Sequence, residues 1–455
     1  MREWDVIVLG AGPAGEVCAG RLAGGGLSVA MVERELVGGE CSFYACMPSK
    51  ALLRPAELLD EVERVPGARE AVSGGVDPQA TLARRDEVIH NLDDSAQLPW
   101  LEHLGIDLVR GDGRLVGERT LTVADEELRA RKAVVIATGS GALMPPIPGL
   151  RESAPWSNRE LCTAKTVPER LVILGGGVVG VEMAQAWRSL GSGVCVIEAL
   201  PRLLSREEPF AGEQVADNLR EGGVDIRLGQ KATRVERAGD GEICVELEDG
   251  SAARGTELLV AIGRVPLSAD IGIEQFGLEA GKTIPVDDRL RVADTDWLYA
   301  IGDVNGRALL THMGKYQGWI AADNILGKDG VRATQDGPGS PRVVFCDPQV
   351  AAVGLTLELA RKQGLRVRAV DVPTSATAGA SFYGRNAPGT ARIVVDEDRG
   401  VIVGATFTGP EVAEWIHAAT IAVVGEVALE RLRQAVPSFP TRSEVWLKLL
   451  EEYGL

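Results

Sequence analysis

Short apolar runs recur along the chain, and several of them stop abruptly at glycine. The first, Asp5-Val6-Ile7-Val8-Leu9, leads into Gly10-Ala11-Gly12-Pro13-Ala14-Gly15. A helical stretch with small or apolar residues at Cys18, Ala19, Leu22 and Ala23 follows, and Val29-Ala30-Met31-Val32 reads as a second buried strand ending in Glu33. The same order of strand, glycine turn, helix, strand and acid returns later. Leu171-Val172-Ile173-Leu174 runs into Gly175-Gly176-Gly177-Val178-Val179-Gly180, and Val194-Cys195-Val196-Ile197 ends in Glu198. In both copies the acid lies 18 residues beyond the last glycine. Two units of one design are therefore predicted.

Each unit has a downstream echo in which a buried run meets glycine: Val134-Val135-Ile136-Ala137-Thr138-Gly139 and Leu258-Leu259-Val260-Ala261-Ile262-Gly263. A third is Leu298-Tyr299-Ala300-Ile301-Gly302-Asp303. Segments 111–131 and 239–255 are richer in charge and turns and read as antiparallel excursions from the main sheets. The Gly/Pro/Ser/Asp-rich stretch over 330–341 marks a domain boundary. Beyond it, strands are expected at 343–345, 391–395 and 401–406, with helices at 411–424 and 443–452. No cofactor motif falls there, so this last region is expected to serve association.

Length and charge narrow the function. The 455 residues fit about three domains of ~150 residues. Lys plus Arg number 48 and Asp plus Glu 65, a net charge of −17, which argues against nucleic acid or an anionic membrane as the main partner. No run approaches the ~20 apolar residues that span a bilayer. The start, MREWDVIVLGAG, lacks the features of a signal peptide. Seven scattered cysteines then point to a reduced, cytoplasmic protein.

A glycine turn at a helix start lets backbone N–H groups approach a pyrophosphate, and the helix dipole adds partial positive charge. An acid closing the next strand accepts hydrogen bonds from ribose hydroxyls. The predicted fold class is α/β, with two Rossmann-like dinucleotide-binding domains and a C-terminal α+β domain. The contacts fall on Gly10, Gly12, Pro13, Ala14, Gly15 and Glu33 in the first unit. In the second they fall on Gly175, Gly177, Val179, Gly180 and Glu198. The alternative is a pair of tight turns that bind nothing. Glu198 would repel a 2′-phosphate and favours NADH, while Arg202 and Arg206 close behind leave NADPH open.

Gly38-Gly39-Glu40-Cys41-Ser42-Phe43-Tyr44-Ala45-Cys46-Met47-Pro48-Ser49-Lys50 follows the first unit at once. Two cysteines five apart can come within disulfide range at a helix start, where a thiol's pKa falls and a thiolate becomes accessible. Beside a dinucleotide site, a redox pair is expected rather than an inert buried one. The other five cysteines read as structural.

With GAGPAG, GGECSFYACMPSK, ATG at 137–139, GGGVVGVE, AIGDV at 300–304 and PSFPTRSE at 437–444, the sequence resembles the flavoprotein pyridine nucleotide–disulfide oxidoreductases along its whole length. This is the group of dihydrolipoamide dehydrogenase, glutathione reductase and mercuric reductase. The resemblance implies FAD bound by 1–150 and 269–335, NAD(P)H bound by 151–268, and a dimerisation domain over 341–455. It implies that Cys46 faces the flavin C4a as a charge-transfer thiolate and that Cys41 is the interchange cysteine. Lys50 would lie near flavin N5, paired with Glu182, and Asp303 would hold the ribityl chain. Further cofactor contacts are implied at Gly39, Ala137, Thr138, Gly139, Gly263, Gly302, Leu310, Thr311 and His312. No metal site is expected.

One motif departs from the group. Most of its disulfide reductases carry His-Pro-Thr-x-x-Glu near the C-terminus, and the partner subunit donates that His as acid/base. Here the stretch is Phe439-Pro440-Thr441-Arg442-Ser443-Glu444, and Phe cannot move a proton. The role of Glu444, which would orient the imidazole, is open as well. His312 is expected beside the cofactor, His417 in a core or interface, and His90 and His103 at the surface. The Tyr44 or Tyr383 hydroxyl would be a substitute donor if either is not simply packed. The chain ends Glu451-Glu452-Tyr453-Gly454-Leu455 without the cysteine pair of mercuric reductases, which disfavours that activity.

A missing acid suits a disulfide whose leaving sulfur needs no proton, such as a low-pKa thiol or a thione of the ergothioneine kind. Phe439 and Tyr44 would offer flat surface to such a ring. Direct flavin reduction of quinones, metal ions or other small oxidants is the alternative, although the intact cysteine pair counts against it. A docking role, or a thiol oxidase using O₂, stays open behind these. The partners expected are a small disulfide or other small oxidant and a second copy of the chain whose C-terminal domain completes the site.

Overall fold

The computed structural model describes residues 2–239, 241–337, 339–384 and 387–455. The chain forms two compact units: Met1–Pro48 with Asp86–Leu143 and Gly263–Gly337, and Ser49–Arg85 with Met144–Ile262 and Pro338–Leu455.

Among the described residues the first unit is built on a seven-stranded sheet. Strands Ile106–Arg110, Val29–Glu33, Arg2–Leu9, Glu126–Ile136 and Leu298–Ala300 run parallel. Val6 to Leu9 and Val29 to Glu33 are buried throughout, which is why they read as unbroken apolar runs rather than alternating ones. Thr120–Val123 and Gly113–Gly117 extend the sheet antiparallel, as the polar segment 111–131 predicted. Helices Pro13–Gly24 and Thr311–Ile325 bury Cys18, Leu22, Ile320 and Ala321 in one cluster against the parallel strands.

In the second unit a parallel sheet of Asp225–Leu228, Gly193–Glu198, Arg170–Leu174 and Glu257–Val260 carries the second glycine turn. The polar segment 239–255 again forms antiparallel structure, a sheet of Ala232–Arg237, Ile243–Leu247 and Ala252–Gly255. A five-stranded antiparallel sheet follows after residue 341. It includes Val350–Gly354 and Val367–Pro373, which the sequence pattern did not reveal. Helices Val412–Val424 and Val445–Tyr453 bury Ile416, Ala419, Leu449 and Leu450 in its core cluster.

The two compact units group the expected domains differently in two places. Residues 49–85, counted within 1–150, belong to the second unit. Leu52, Leu53 and Leu82 share a buried cluster with Leu161, Val181 and Trp187, and buried Arg85 donates to the carbonyls of Cys162 and Ala164. Segments 151–268 and 341–455, read as separate domains, also fall in one unit. Polar contacts knit them: Arg342 donates to Glu207 at 2.8 and 2.9 Å, Arg392 to Glu208 at 2.8 Å, and Gln214 to Thr390 at 2.9 Å.

Candidate active site

The two glycine turns are built alike, atom for atom. Gly10 has φ +108° and Gly175 φ +109°; a Cβ at either would lie 2.4 Å from a carbonyl oxygen, that of Ala137 or Ala261. At the third glycine of each turn a Cβ would sit 2.1 Å from Gly10 O (Gly15) or 1.9 Å from Gly175 O (Gly180). Only glycine permits these approaches. Gly12 and Gly177 precede helices Pro13–Gly24 and Val178–Ser189 without any side-chain cap, which leaves the first-turn amides that follow, apart from Pro13, for a ligand at these helix starts.

The closing acids repeat the correspondence. Glu33 accepts from Ala11 N–H and Glu35 N–H, both at 2.8 Å. Glu198 accepts from Gly176 N–H at 2.6 Å and Leu200 N–H at 2.8 Å. A carboxylate has about four lone-pair positions, so each acid keeps capacity for a ribose hydroxyl. Thr138 Oγ1 is buried beside the first turn and has no partner among protein atoms. An orphan hydroxyl at a glycine turn fits a site finished by a bound dinucleotide. Arg202 donates through Nη2 to Ser205 O at 2.8 Å while its buried Nε has no partner among protein atoms, and Arg206 is exposed.

Glu16 lies in the first helical turn beyond this site. Burial pushes its carboxyl up to about 7, against a weaker pull from Lys315. An unfolded Glu titrates near 4.5. Between those values the folded chain binds the extra proton, so stability falls as pH rises through the window, by up to about 3 kcal/mol. Glu16→Gln is expected to melt above the parent near pH 8 and level with it near pH 5, as thermal denaturation at the two pH values would show.

The two neighbouring cysteines sit on two helix starts. Cys41 is in the short helix Gly39–Phe43, and Cys46 opens helix Cys46–Arg64. Thr311 Oγ1 donates to Cys41 Sγ at 3.1 Å and lies 3.5 Å from Cys46 Sγ. Both sulfurs therefore border one hydroxyl. The neighbouring Cys46, then burial, push the Cys41 thiol up rather than down, with Thr311 opposing. Two adjacent sulfurs cannot both be anionic, and Cys46 holds the end of the longer helix where an anion is favoured.

Asp303 lies in the turn Gly302–Asn305 within a network that the sequence did not suggest. Ser140 Oγ donates to it at 2.5 Å. Arg264 lies 3.8 Å from Asp303, donates to Ser140 Oγ and O at 2.6 Å each, and pairs with Glu40 at 3.2 Å. Burial raises the Asp303 carboxyl while Ser140 and Arg264 pull it back. Gly139, Gly263 and Gly302 sit in the neighbouring turns, each with positive φ. Leu310 precedes helix Thr311–Ile325, and His312 at its start is exposed.

In the second unit Lys50 Nζ donates to Glu182 Oε2 at 2.7 Å. Glu182 is buried and also accepts from Phe345 N–H at 2.9 Å, while Lys50 lies 4.7 Å from the Phe345 ring centre. Phe439 is 77% exposed. Glu444 accepts from Thr441 N–H at 3.2 Å, so it caps its own turn. His417 is exposed, which removes it from the core: Ile416 and Ala419 point inward, and position 417 is turned away. His90 and His103 are exposed too. Neither tyrosine is a ready acid. Tyr44 OH donates to Glu35 at 2.8 Å. Tyr383 OH bonds Glu411, and burial with that bond pushes the phenol up to about 12.

A family model described as pyridine nucleotide-disulphide oxidoreductase matches residues 4–322. The chain belongs to that family. The family's dimerisation domain matches residues 340–450. A dihydrolipoyl dehydrogenase from Haloferax volcanii is 32% identical over 98% of this chain and 95% of its own length. A mercuric reductase from Bacillus cereus is 30% identical over 97% of this chain and 70% of its own. Among solved structures, the Cu(II) complex of the HOCl-induced flavoprotein disulfide reductase RclA from Escherichia coli has a TM-score of 0.87 at 27% identity, covering 99% of both chains. LpdA from Mycobacterium tuberculosis shares the fold, with a TM-score of 0.87 at 24% identity over 100% of both chains. Members of this oxidoreductase family are enzymes that use FAD and NAD(P)H. Among the described residues no helix is long and apolar enough to cross a membrane.

Proposed function

We propose that the protein is an NADH-preferring flavoprotein reductase that passes electron pairs through Cys41 and Cys46 to a small disulfide. The observation that carries this reading is the convergence of both sulfurs on Thr311, at 3.1 and 3.5 Å, in the unit that holds the first glycine turn and Asp303. FAD, when bound, supplies the two-electron relay between nicotinamide and sulfur. The chain's own residues do the rest. The open amides after Gly12 and Gly177 bind pyrophosphate, and Glu33 and Glu198 hold ribose hydroxyls. Asp303 and Thr138 orient FAD. Lys50, steadied by Glu182, would supply positive charge to the bound flavin. Glu198, which would repel a 2′-phosphate, supports NADH over NADPH.

At the sulfurs, arrival of an electron pair breaks the Cys41–Cys46 bond, with Cys46 left as the anion and Cys41 taking a proton. Cys41 then gives that proton to solvent and attacks the substrate disulfide as a thiolate, forming a mixed disulfide as the substrate S–S bond breaks and one sulfur leaves as a thiolate or thione. Cys46 attacks Cys41, which restores the pair and releases the second thiol. A second copy of the chain, joined through the dimerisation domain, would bring Phe439 to this site. Phenylalanine offers the leaving sulfur no proton, and Glu444 is occupied in its cap. The favoured substrates therefore have sulfurs that leave as low-pKa thiolates or thiones, and ergothioneine disulfide is one test compound. A reducing cytoplasm is the compartment that suits an enzyme of this kind.

A panel of aromatic, thione-forming and alkyl disulfides with NADH and NADPH tests the reading. Brisk lipoamide turnover with none on the aromatic set would overturn the substrate class. Phe439→His is expected to raise lipoamide reduction by more than about tenfold. No gain would mean that pocket shape, not proton supply, sets specificity. Reduction of metal ions is a second reading. It is favoured by the similarity to a Cu(II)-bound reductase and to a mercuric reductase, and by the softness of thiol sulfur toward such ions.

A further inference from the structure

Tyr44 stands inside the turn between the two redox cysteines. It ends helix Gly39–Phe43, with its N–H bonded to Glu40 O at 2.8 Å. Its ring lies 6.5 Å from that of Phe43, which is buried. Its hydroxyl donates to Glu35 Oε1 at 2.8 Å. An exposed glutamate is normally a loose partner, because ordering a long side chain costs entropy. The backbone beneath Glu35, however, is pinned on both sides. Glu35 N–H donates to Glu33 Oε1 at 2.8 Å, and Glu35 O accepts from Arg110 at 2.7 Å. Arg110 also holds Asp94 at 2.5 Å, and Asp94 accepts from Val37 N–H at 2.7 Å. Gly38 N–H closes the loop onto Ala11 O at 2.8 Å. A hydrogen-bond chain thus runs from Ala11, in the first glycine turn, through Glu33 and Glu35 to the phenol between the sulfurs.

We infer that Tyr44 is a positioning residue for the redox pair: tethered to Glu35, it fixes the turn between Cys41 and Cys46 and thereby stabilises their disulfide. The inference rests on the proposed redox role of the two cysteines. With the turn held, both sulfurs stay against Thr311 Oγ1, so little chain entropy remains to be lost when the S–S bond reforms. With the tether cut, the dithiol explores more conformations and the disulfide becomes easier to open.

The test uses the flavin-loaded protein equilibrated in buffers of reduced and oxidised dithiothreitol. Dithiothreitol supplies the electron pair and two protons that convert the disulfide to two thiols, itself becoming the cyclic disulfide. Alkylation and mass measurement score Cys41 and Cys46. Tyr44→Phe keeps the ring and removes only the hydroxyl. It is expected to shift the equilibrium toward the dithiol by about three- to tenfold, the range of one partly solvated hydrogen bond to a charged group. Glu35→Ala should shift it similarly, and the double variant no further than either. An unmoved midpoint in Tyr44→Phe, or additive effects in the double variant, would overturn the inference. A parent protein that never forms the Cys41–Cys46 disulfide would instead remove the functional reading itself, so the two failures are distinguishable.

Discussion

Cys46→Ser and Cys41→Ser are each expected to lower NADH-driven disulfide turnover by about 10³-fold or more, while FAD stays bound. A serine hydroxyl at either place can neither accept the electron pair by opening an S–S bond nor form the mixed disulfide. The other cysteines lie outside this turn: Cys244 is in strand Ile243–Leu247, Cys18, Cys162 and Cys346 are buried, and burial raises the Cys18 thiol to about 12 and that of Cys346 well above its usual range. Cys195 is likewise pushed up to about 12, by burial and then by Asp225. The same variants separate the two functional readings. Copper or quinone reduction that survives in the double Ser variant belongs to direct transfer from the flavin. Metal reduction lost along with disulfide reduction belongs to the sulfurs. Residual disulfide turnover above a few per cent of the parent's would contradict the proposed route.

Gly180→Ala is expected to weaken NADH binding by about a hundredfold while leaving FAD content unchanged, and Gly15→Ala to do the opposite. The cause is the same in each case. A Cβ at Gly180 would lie 1.9 Å from Gly175 O, and one at Gly15 would lie 2.1 Å from Gly10 O. A backbone oxygen of the turn cannot yield without spoiling the amides that cradle the pyrophosphate. Overpacking of this sort costs about 3 kcal/mol, which is about a hundredfold in affinity. Flavin absorbance per protein and an NADH titration read the two effects separately. Flavin lost from Gly180→Ala with NADH binding intact would reverse the assignment of the two units.

The glycine turns were legible because their stereochemistry admits one residue type at fixed spacing, and the closing acids Glu33 and Glu198 stand where amides must be answered. The cysteine pair was legible from its place beside the first turn. Residues 49–85 were not, since an apolar face at Leu52, Leu53 and Leu82 says that a helix is buried but not in which core. The Arg264–Asp303–Ser140 network joins segments far apart in the chain, and a common Arg-Val-Pro run gives no local sign of it. The high Cys41 thiol pKa was hidden for a similar reason. Helix position alone favours a thiolate, and only contact with the second sulfur reverses the sign. Exposure of His417 could not be read from its apolar neighbours, because one residue's step around a helix turns a side chain out of the core.

Counting thiols before and after anaerobic addition of NADH tests most directly whether electron pairs reach residues 41 and 46. The oxidised flavin-loaded protein should show neither of these cysteines open to alkylation. One equivalent of NADH per protomer, with one proton from solvent, should expose two new thiols, located by peptide mass at those two positions. Bleaching of the flavin with no thiol gained, or thiols gained at any other cysteine, would contradict the account.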